Sequence, residues 1–71
     1  MREVELAKEP VELYKLLKFE GLAASGGEAK YFISEGNVLV NGEVETRKRK
    51  KIVSGDIIEL GEDKLNITLK K

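Results

Sequence analysis

Five consecutive basic residues are the part of this sequence with the clearest chemical meaning. They are Arg47, Lys48, Arg49, Lys50 and Lys51, called the basic segment below, and they hold five of the thirteen Lys and Arg residues. Such side chains neutralise phosphates and release counterions, and an arginine can hold one phosphate through two hydrogen bonds. The basic segment therefore favours binding to a nucleic acid backbone. A solvated run of charges without a ligand is the alternative.

The charges of the whole chain cancel, since thirteen Asp and Glu residues balance the thirteen Lys and Arg residues. A surface attracts its ligand through local potential, which salt screens over about 8–10 Å. Glu43 and Glu45 precede the basic segment, but no acidic residue lies inside it. A positive local potential is therefore expected. If the segment is a strand, alternation turns only half of its side chains toward any one ligand.

A second candidate site lies where a helix is predicted to begin. Ser25 and Glu28 fit the S-x-x-E capping box, whose side chains bond to backbone N–H groups of the first turn. Free N–H groups and the helix dipole could bind a phosphate at Ser25, Gly26 and Gly27. Lys30, about one turn along, could share the same phosphate. The alternative is an ordinary cap that binds no ligand.

Tyr31 is a third candidate, on the outer face of the same helix. Ala29, Phe32 and Ile33 form the predicted buried stripe, and Gly36 is expected to end the helix. At about 100° per residue, Tyr31 then lies nearly opposite that stripe. An exposed tyrosine could stack on an unpaired base, or it could simply cover neighbouring surface.

Composition excludes several kinds of chemistry. The chain has no cysteine and no histidine, which removes thiolate metal sites, nucleophilic cysteines and triads built on histidine. Asp56 and Glu59 are close in sequence, but a chain of 71 residues can hardly build the cleft that a catalytic carboxylate pair needs. No enzymatic activity, no metal and no organic cofactor is therefore expected.

The sequence also lacks the signals of a membrane or secreted protein. No apolar run approaches the roughly 18 residues of a membrane span. The first residues, Met1-Arg2-Glu3-Val4-Glu5, lead into no apolar core of a signal peptide. A cytoplasmic protein without a membrane partner is expected, and the helix faces show no seam for a dimer, so a monomer is expected too.

A short helix is predicted before the one that begins at Ser25. Pro10 suits its first turn, where a missing N–H does no harm. Leu13, Leu16 and Leu17 recur as the apolar stripe of an amphipathic helix. Gly21 takes the position of a C-terminal cap. The helix beginning at Ser25 follows after a short apolar connector.

The remaining residues predict strands. Asn41-Gly42 is a strong hairpin signal, because a type I′ turn needs positive φ at both central residues. Alternating or continuous apolar residues predict strands at 2–6, 38–40, around 44, and at 52–53, 57–60 and 65–69, with turns at 54–56 and 61–64. The expected fold is a single α+β domain of residues 1–71, with a small, mostly antiparallel sheet and two helices packed on one side.

The order of these residues resembles the S-four-type RNA-binding domain, named after ribosomal protein four of the small subunit. The resemblance is strongest over residues 13–60 and is carried by Gly21-Leu22-Ala23, Ser25, Ala29-Lys30, Ile33, Glu35-Gly36, Val38, Val40-Asn41-Gly42 and Gly55-Asp56-Ile57-Ile58. The short chain and the stretch Glu45-Thr46-Arg47-Lys48-Arg49 resemble the stand-alone bacterial YaaA/YbcJ group.

That resemblance implies a non-catalytic module for structured RNA, of the ribosomal or transfer RNA class, with a ribosomal subunit as a candidate partner. Family members bind through an αL motif of two helices and a hairpin, with the second helix and the following basic loop carrying most contacts. The chain departs from the pattern at Gly26, where the family commonly has a basic residue. One expected phosphate contact is therefore absent.

Two other functions stay open on the sequence. The basic segment could serve as an adaptor surface for an acidic protein partner, because the same charges attract either ligand. A β-grasp sulfur carrier is less favoured. Such carriers need a Gly-Gly C-terminus, whereas this sequence ends in Thr68-Leu69-Lys70-Lys71.

Overall fold

Strands at both ends of the chain enclose two helices in the sequence order. The computed structural model of the protein describes residues 1–70; Lys71, the last residue of the C-terminal sequence considered above, lies outside them. In chain order the elements are β1 (Arg2–Leu6), β2 (Val11–Glu12), α1 (Leu13–Phe19), α2 (Gly26–Ser34), β3 (Val38–Val40), β4 (Glu43–Val44), β5 (Lys51–Ile52), β6 (Ile57–Leu60) and β7 (Asp63–Leu69). The predicted α+β class is confirmed.

The main sheet has five strands in the order β1-β7-β6-β3-β4. Its pairs are antiparallel except that β1 runs parallel to β7, with Val4 opposite Ile67. In the middle of the sheet, Val40 lies opposite Ile58. All four of these side chains are buried, so the register turns one face of the sheet toward the core. The predicted, mostly antiparallel sheet is confirmed.

One buried cluster joins this inner face to both helices. Its members are Val4, Leu6, Leu13, Leu16, Leu17, Ala23, Ala29, Ile33, Val38, Val40, Ile52, Ile58, Leu65 and Ile67. The stripe predicted for α1 is confirmed. The stripe predicted for α2 is narrower than expected, since Phe32 is only half-buried and packs against the margin of the cluster. Ala29 and Ile33, four residues apart, already fill the face of α2 that meets the core.

The β3–β4 hairpin has the type I′ geometry that its sequence predicts. Asn41 and Gly42 have φ values of 54° and 84°. The Asn41 side chain also spans to β6, because its Nδ2 donates to Asp56 Oδ1 at 3.0 Å and its Oδ1 accepts from the Ile57 N–H at 2.8 Å. Asp56 Oδ2 in turn accepts from the Val53 N–H at 3.0 Å. These side chains therefore fix the hairpin against the loop that enters β6.

The prediction that Pro10 lies in the first turn of a helix is wrong. Helix α1 begins three residues later, at Leu13, and the intervening Val11–Glu12 forms β2, which pairs antiparallel with β5. The Leu13 N–H donates to the Lys50 carbonyl at 2.9 Å. A tertiary partner thus satisfies a donor that a local cap would otherwise serve, and it moves the start of α1.

Candidate nucleic acid interface

The basic segment is mainly a turn, and only Lys51 belongs to a strand. The Lys50 N–H donates to the Arg47 carbonyl at 3.2 Å, which places Lys48 and Arg49 at the tip. The alternation considered for a strand therefore does not apply to residues 47–50. Arg47 and Arg49 expose 71% and 72% of their side chains, so both guanidinium groups are accessible to a ligand.

The backbone of the basic segment is bound to the start of α1. The carbonyls of Lys48 and Lys50 accept from the N–H groups of Tyr14, at 3.1 Å, and Leu13, at 2.9 Å. Directly after the segment, Ile52 is completely buried. Because carbonyls and a core side chain anchor the backbone, the charged side chains are held on the outside in a defined arrangement.

Arg47 is the member of the segment most tightly held by an acid. Its Nε and Nη2 donate to the two carboxylate oxygens of Glu45 at 2.9 and 3.0 Å, and its backbone N–H donates to Oε2 at 3.0 Å. The Glu45 N–H donates to the Val38 carbonyl, and the Glu45 side chain is only 12% exposed. The hydrogen bonds from Arg47 lower the pKa of Glu45 to about 2. Sequence position alone gave no sign of this bidentate pair.

Acid is expected to weaken the Glu45–Arg47 pair in a defined pH window. The pKa of Glu45 falls from 4.5 to about 2 on folding, so the pair stabilises the fold fully above about pH 4.5 and loses this contribution as pH falls toward 2. In NMR titrations, the Arg47 amide and Nε–H signals should shift with a midpoint near 2. In Glu45→Gln this transition should be missing. A wild-type midpoint near 4.5 would contradict the pair.

A second carboxylate, that of Glu12, interacts with cations from three parts of the chain. Glu12, at the end of β2, lies 3.0 Å from Lys15 Nζ and 3.8 Å from Arg49 Nε. The hydrogen bond from Lys15 lowers the pKa of Glu12, and the charges of Lys15, Arg49 and Lys30 act in the same direction. One carboxylate among three cations leaves an excess of positive charge, and it ties α1, α2 and the basic segment into one electrostatic surface.

Tyr14 is the residue at the centre of this surface that the sequence reasoning missed. Its ring centroid lies 4.7 Å from Lys30 Nζ and 5.9 Å from Lys15 Nζ, within the range of a cation–π contact. A β-carbon on Gly26 would lie 3.8 Å from two of the ring carbons, so the ring packs on the first turn of α2. The backbone N–H of Tyr14 donates to the Lys48 carbonyl. The available signal was an aromatic residue directly after the first leucine of the predicted apolar stripe and directly before Lys15.

The capping box at the start of α2 is present in a shifted form. Ser25 Oγ accepts from the Glu28 N–H at 3.1 Å, as predicted. The Glu28 carboxylate accepts from Ala24 at 2.9 Å rather than from Ser25. Among the hydrogen bonds of residues 1–70, none occupies the N–H groups of Gly26 and Gly27. These two N–H groups lie beside Tyr14 and Lys30. They are the donors at this helix end that are available to a phosphate.

Tyr31 occupies a separate position on α2. Its side chain is exposed, and its ring lies 6.3 Å from that of Phe32. Base stacking by Tyr31 stays a prediction. No hydrogen bond or aromatic contact in the described residues joins this ring to the basic segment.

Four cations line a shallow hollow on the outside of the basic segment. Its volume is about 380 Å³, and its lining within the described chain consists of Arg47, Arg49, Lys50 and Lys51; it is called the cation hollow below. Lys50 and Lys51 form no ion pair with any residue from 1 to 70. The hollow therefore presents a concentrated positive surface, and two of its four charges stand outside any ion pair of the described residues.

The carboxylates considered for catalysis are engaged elsewhere. Asp56 accepts from Asn41 and from Val53, and Glu59 pairs with Lys64 at 3.4 Å. Residues 1–70 contain no acidic cluster that could hold a metal ion. No helix of the same residues has the length and apolar character needed to cross a bilayer.

The fold and this surface define a small S-four-type domain, and comparison with known proteins places the chain in that family. The model of the family described as S4 domain matches residues 4–68, so the protein belongs to the S4 domain family. The predicted resemblance is confirmed. This is a family of RNA-binding domains rather than of enzymes.

Two relatives and one solved structure show the same relationship. YbcJ of Escherichia coli (strain K12), named as a candidate RNA-binding protein, is 54% identical over 59 residues, covering 82% of this chain and 84% of the relative. RlbA of Bacillus subtilis (strain 168), named as a probable ribosome maturation protein, is 39% identical over 57 residues, or 80% of each chain. The solution structure of Escherichia coli YbcJ, described as revealing an αL motif involved in RNA binding, has a TM-score of 0.73 at 46% identity. The match covers 96% of this chain and 87% of that one.

Proposed function

We propose that the protein is a non-catalytic module that binds structured RNA through the basic segment and the N-terminal end of α2. The observation that carries this proposal is the cation hollow, where four basic side chains converge. Because the backbone that carries these lysines and arginines is anchored, only their side chains need ordering when they bind phosphates. The names of YbcJ and RlbA support the same function.

A folded RNA suits this surface because its cations come from three elements at fixed relative positions. Lys15 and Arg49 lie 3.0 and 3.8 Å from the Glu12 carboxylate, and Lys30 lies over the Tyr14 ring. The spacing of these cations does not adapt freely to a flexible strand. Structured RNA is recognised largely through its shape and phosphates. Ribosomal RNA is the favoured target, given the ribosome maturation role in the name of RlbA, with transfer RNA second. The protein would act in the cytoplasm as a monomer.

Binding to hairpin RNA should depend steeply on salt. If four to six phosphates are contacted, log K should fall against log salt with a slope of roughly −3 to −5. The variant Lys50→Gln/Lys51→Gln should bind roughly ten- to fifty-fold more weakly at 0.1 M salt, with a slope shallower by about 2. Fluorescence anisotropy of labelled hairpin RNA would measure both, with a DNA duplex of matched sequence for comparison.

The matched control removes two lysines far from the cation hollow. Lys18 lies in the last turn of α1, whereas the basic segment contacts the first turn, and Lys64 pairs with Glu59. Lys18→Gln/Lys64→Gln should leave the affinity and slope close to those of the wild type. Equal losses in both double variants would contradict the assigned surface. Absence of binding to either nucleic acid at low salt would overturn the proposal and favour the adaptor function.

A further inference from the structure

A second depression, called the hairpin groove below, lies between the β3–β4 hairpin and the basic segment. Its volume is about 440 Å³, and Val44 and Val53 line it together with Lys50 and Lys51. The two valines expose 59% and 38% of their surface. A volume of this size lies within the range of about 300–1,000 Å³ typical of small-molecule sites.

The polar wall of the hairpin groove is held by its own hydrogen bonds. Asn41 and Asp56 bond to each other, and Asp56 also accepts from the Val53 N–H. Glu45 and Arg47, which also line the groove, form their bidentate pair. These groups make the groove rigid. The groups left to meet a ligand are the valine side chains, the ammonium groups of Lys50 and Lys51, and the carboxylate of Glu43.

The hairpin groove and the cation hollow share part of their lining. Arg47, Lys50 and Lys51 border both. An RNA backbone that follows the cation hollow therefore passes the rim of the hairpin groove, where two lysines line the same depression as the exposed side chains of Val44 and Val53. Cationic groups beside exposed aliphatic carbon match the two halves of one nucleotide, a phosphate and a base.

We propose that the hairpin groove holds a single unpaired nucleotide of the bound RNA, with its phosphate on Lys50 and Lys51 and its base on Val44 and Val53. The inference rests on the proposed RNA-binding function and adds a preference for RNA with an extruded base. Unpaired bases leave the helix readily and are read on their faces and edges. Glu43, on the groove lining, offers a carboxylate to the amino group of such a base.

Three hairpin RNAs would test the groove, identical except at one position in the stem. The first is fully paired, the second carries a one-nucleotide adenosine bulge, and the third carries the same bulge without its base. The wild type should bind the adenosine bulge about five- to tenfold more tightly than the other two, because the base would cover apolar surface of the two valines. In Val44→Ser/Val53→Ser this preference should disappear, while affinity for the paired hairpin stays within about twofold.

The control variant is Leu69→Ser, because Leu69 is exposed to nearly the same degree as Val53, 37% against 38%, and does not line the groove. It should keep the preference for the adenosine bulge, and thermal melting would show that all variants fold. Salt-dependent binding without a bulge preference would overturn the groove and leave the proposed function standing. A preference shared by the bulge without a base, or retained in Val44→Ser/Val53→Ser, would also overturn it. If the protein bound none of the three RNAs, both proposals would be overturned.

Discussion

Replacing Ile52 by alanine is expected to lower the free energy of unfolding by about 2–5 kcal/mol. Ile52 has no exposed surface and lies directly after the basic segment, opposite Val11 in the β2–β5 pair. The truncated side chain would leave a cavity where the segment enters the core. A domain of this size has a total stability of only about 5–10 kcal/mol, so the loss would be a large fraction of it.

Urea unfolding followed by circular dichroism would measure this change, and the melting temperature should fall by roughly 10 °C or more. Val53→Ala is the matched control, because Val53 is the next aliphatic residue but is 38% exposed. Its substitution should cost under about 1 kcal/mol. Similar losses in both variants would show that Ile52 does not anchor the basic segment.

Replacing Asn41 by alanine is expected to destabilise the protein by about 2–5 kcal/mol. Two side-chain hydrogen bonds would be lost, to Asp56 and from Ile57, at about 0.5–1.5 kcal/mol each. The backbone at position 41 has a φ of 54°, a left-handed conformation that costs alanine about 1–2 kcal/mol. The hairpin would also lose its attachment to the loop before β6.

Asn41→Gly separates these two causes, since glycine adopts positive φ without strain but makes no side-chain hydrogen bond. Its loss of stability in urea unfolding should be smaller than that of Asn41→Ala. The difference between the two variants measures the backbone preference, and the remaining loss measures the hydrogen bonds. If both variants kept the stability of the wild type, the structural role of Asn41 would be refuted.

The ion pairs around the basic segment affect how many of its charges a phosphate can use. Glu45 pairs with Arg47 and Glu12 lies near Arg49, so two of the five cations already have a carboxylate neighbour. A phosphate must compete with those carboxylates for the two arginines. Lys50 and Lys51 form no ion pair within residues 1–70, which is why their substitution should change the salt slope most directly.

Local sequence determined the elements whose signals lie within a few neighbouring residues. The Asn41-Gly42 turn, the cap at Ser25 and the stripe of Leu13, Leu16 and Leu17 all depend on backbone conformation or side-chain period over one or two turns of chain. Each of these was predicted from sequence and is present in the structure. The basic segment was also readable at this level, whereas the resemblance to the S4 domain family depended on the joint order of motifs over residues 13–60.

Tertiary structure alone decided which of these residues meet. Three of these features depend on contacts between positions far apart in the chain. They are the parallel pairing of β1 with β7, the start of α1 after Pro10, and the pairing of Glu12 with Arg49. The place of Tyr14 between Lys30 and the basic segment arises in the same way. Periodicity and propensity describe a residue's own element, whereas these contacts depend on how separate elements pack. The basic segment could therefore be found in the sequence, but the surface that it shares with α1 and α2 required the fold.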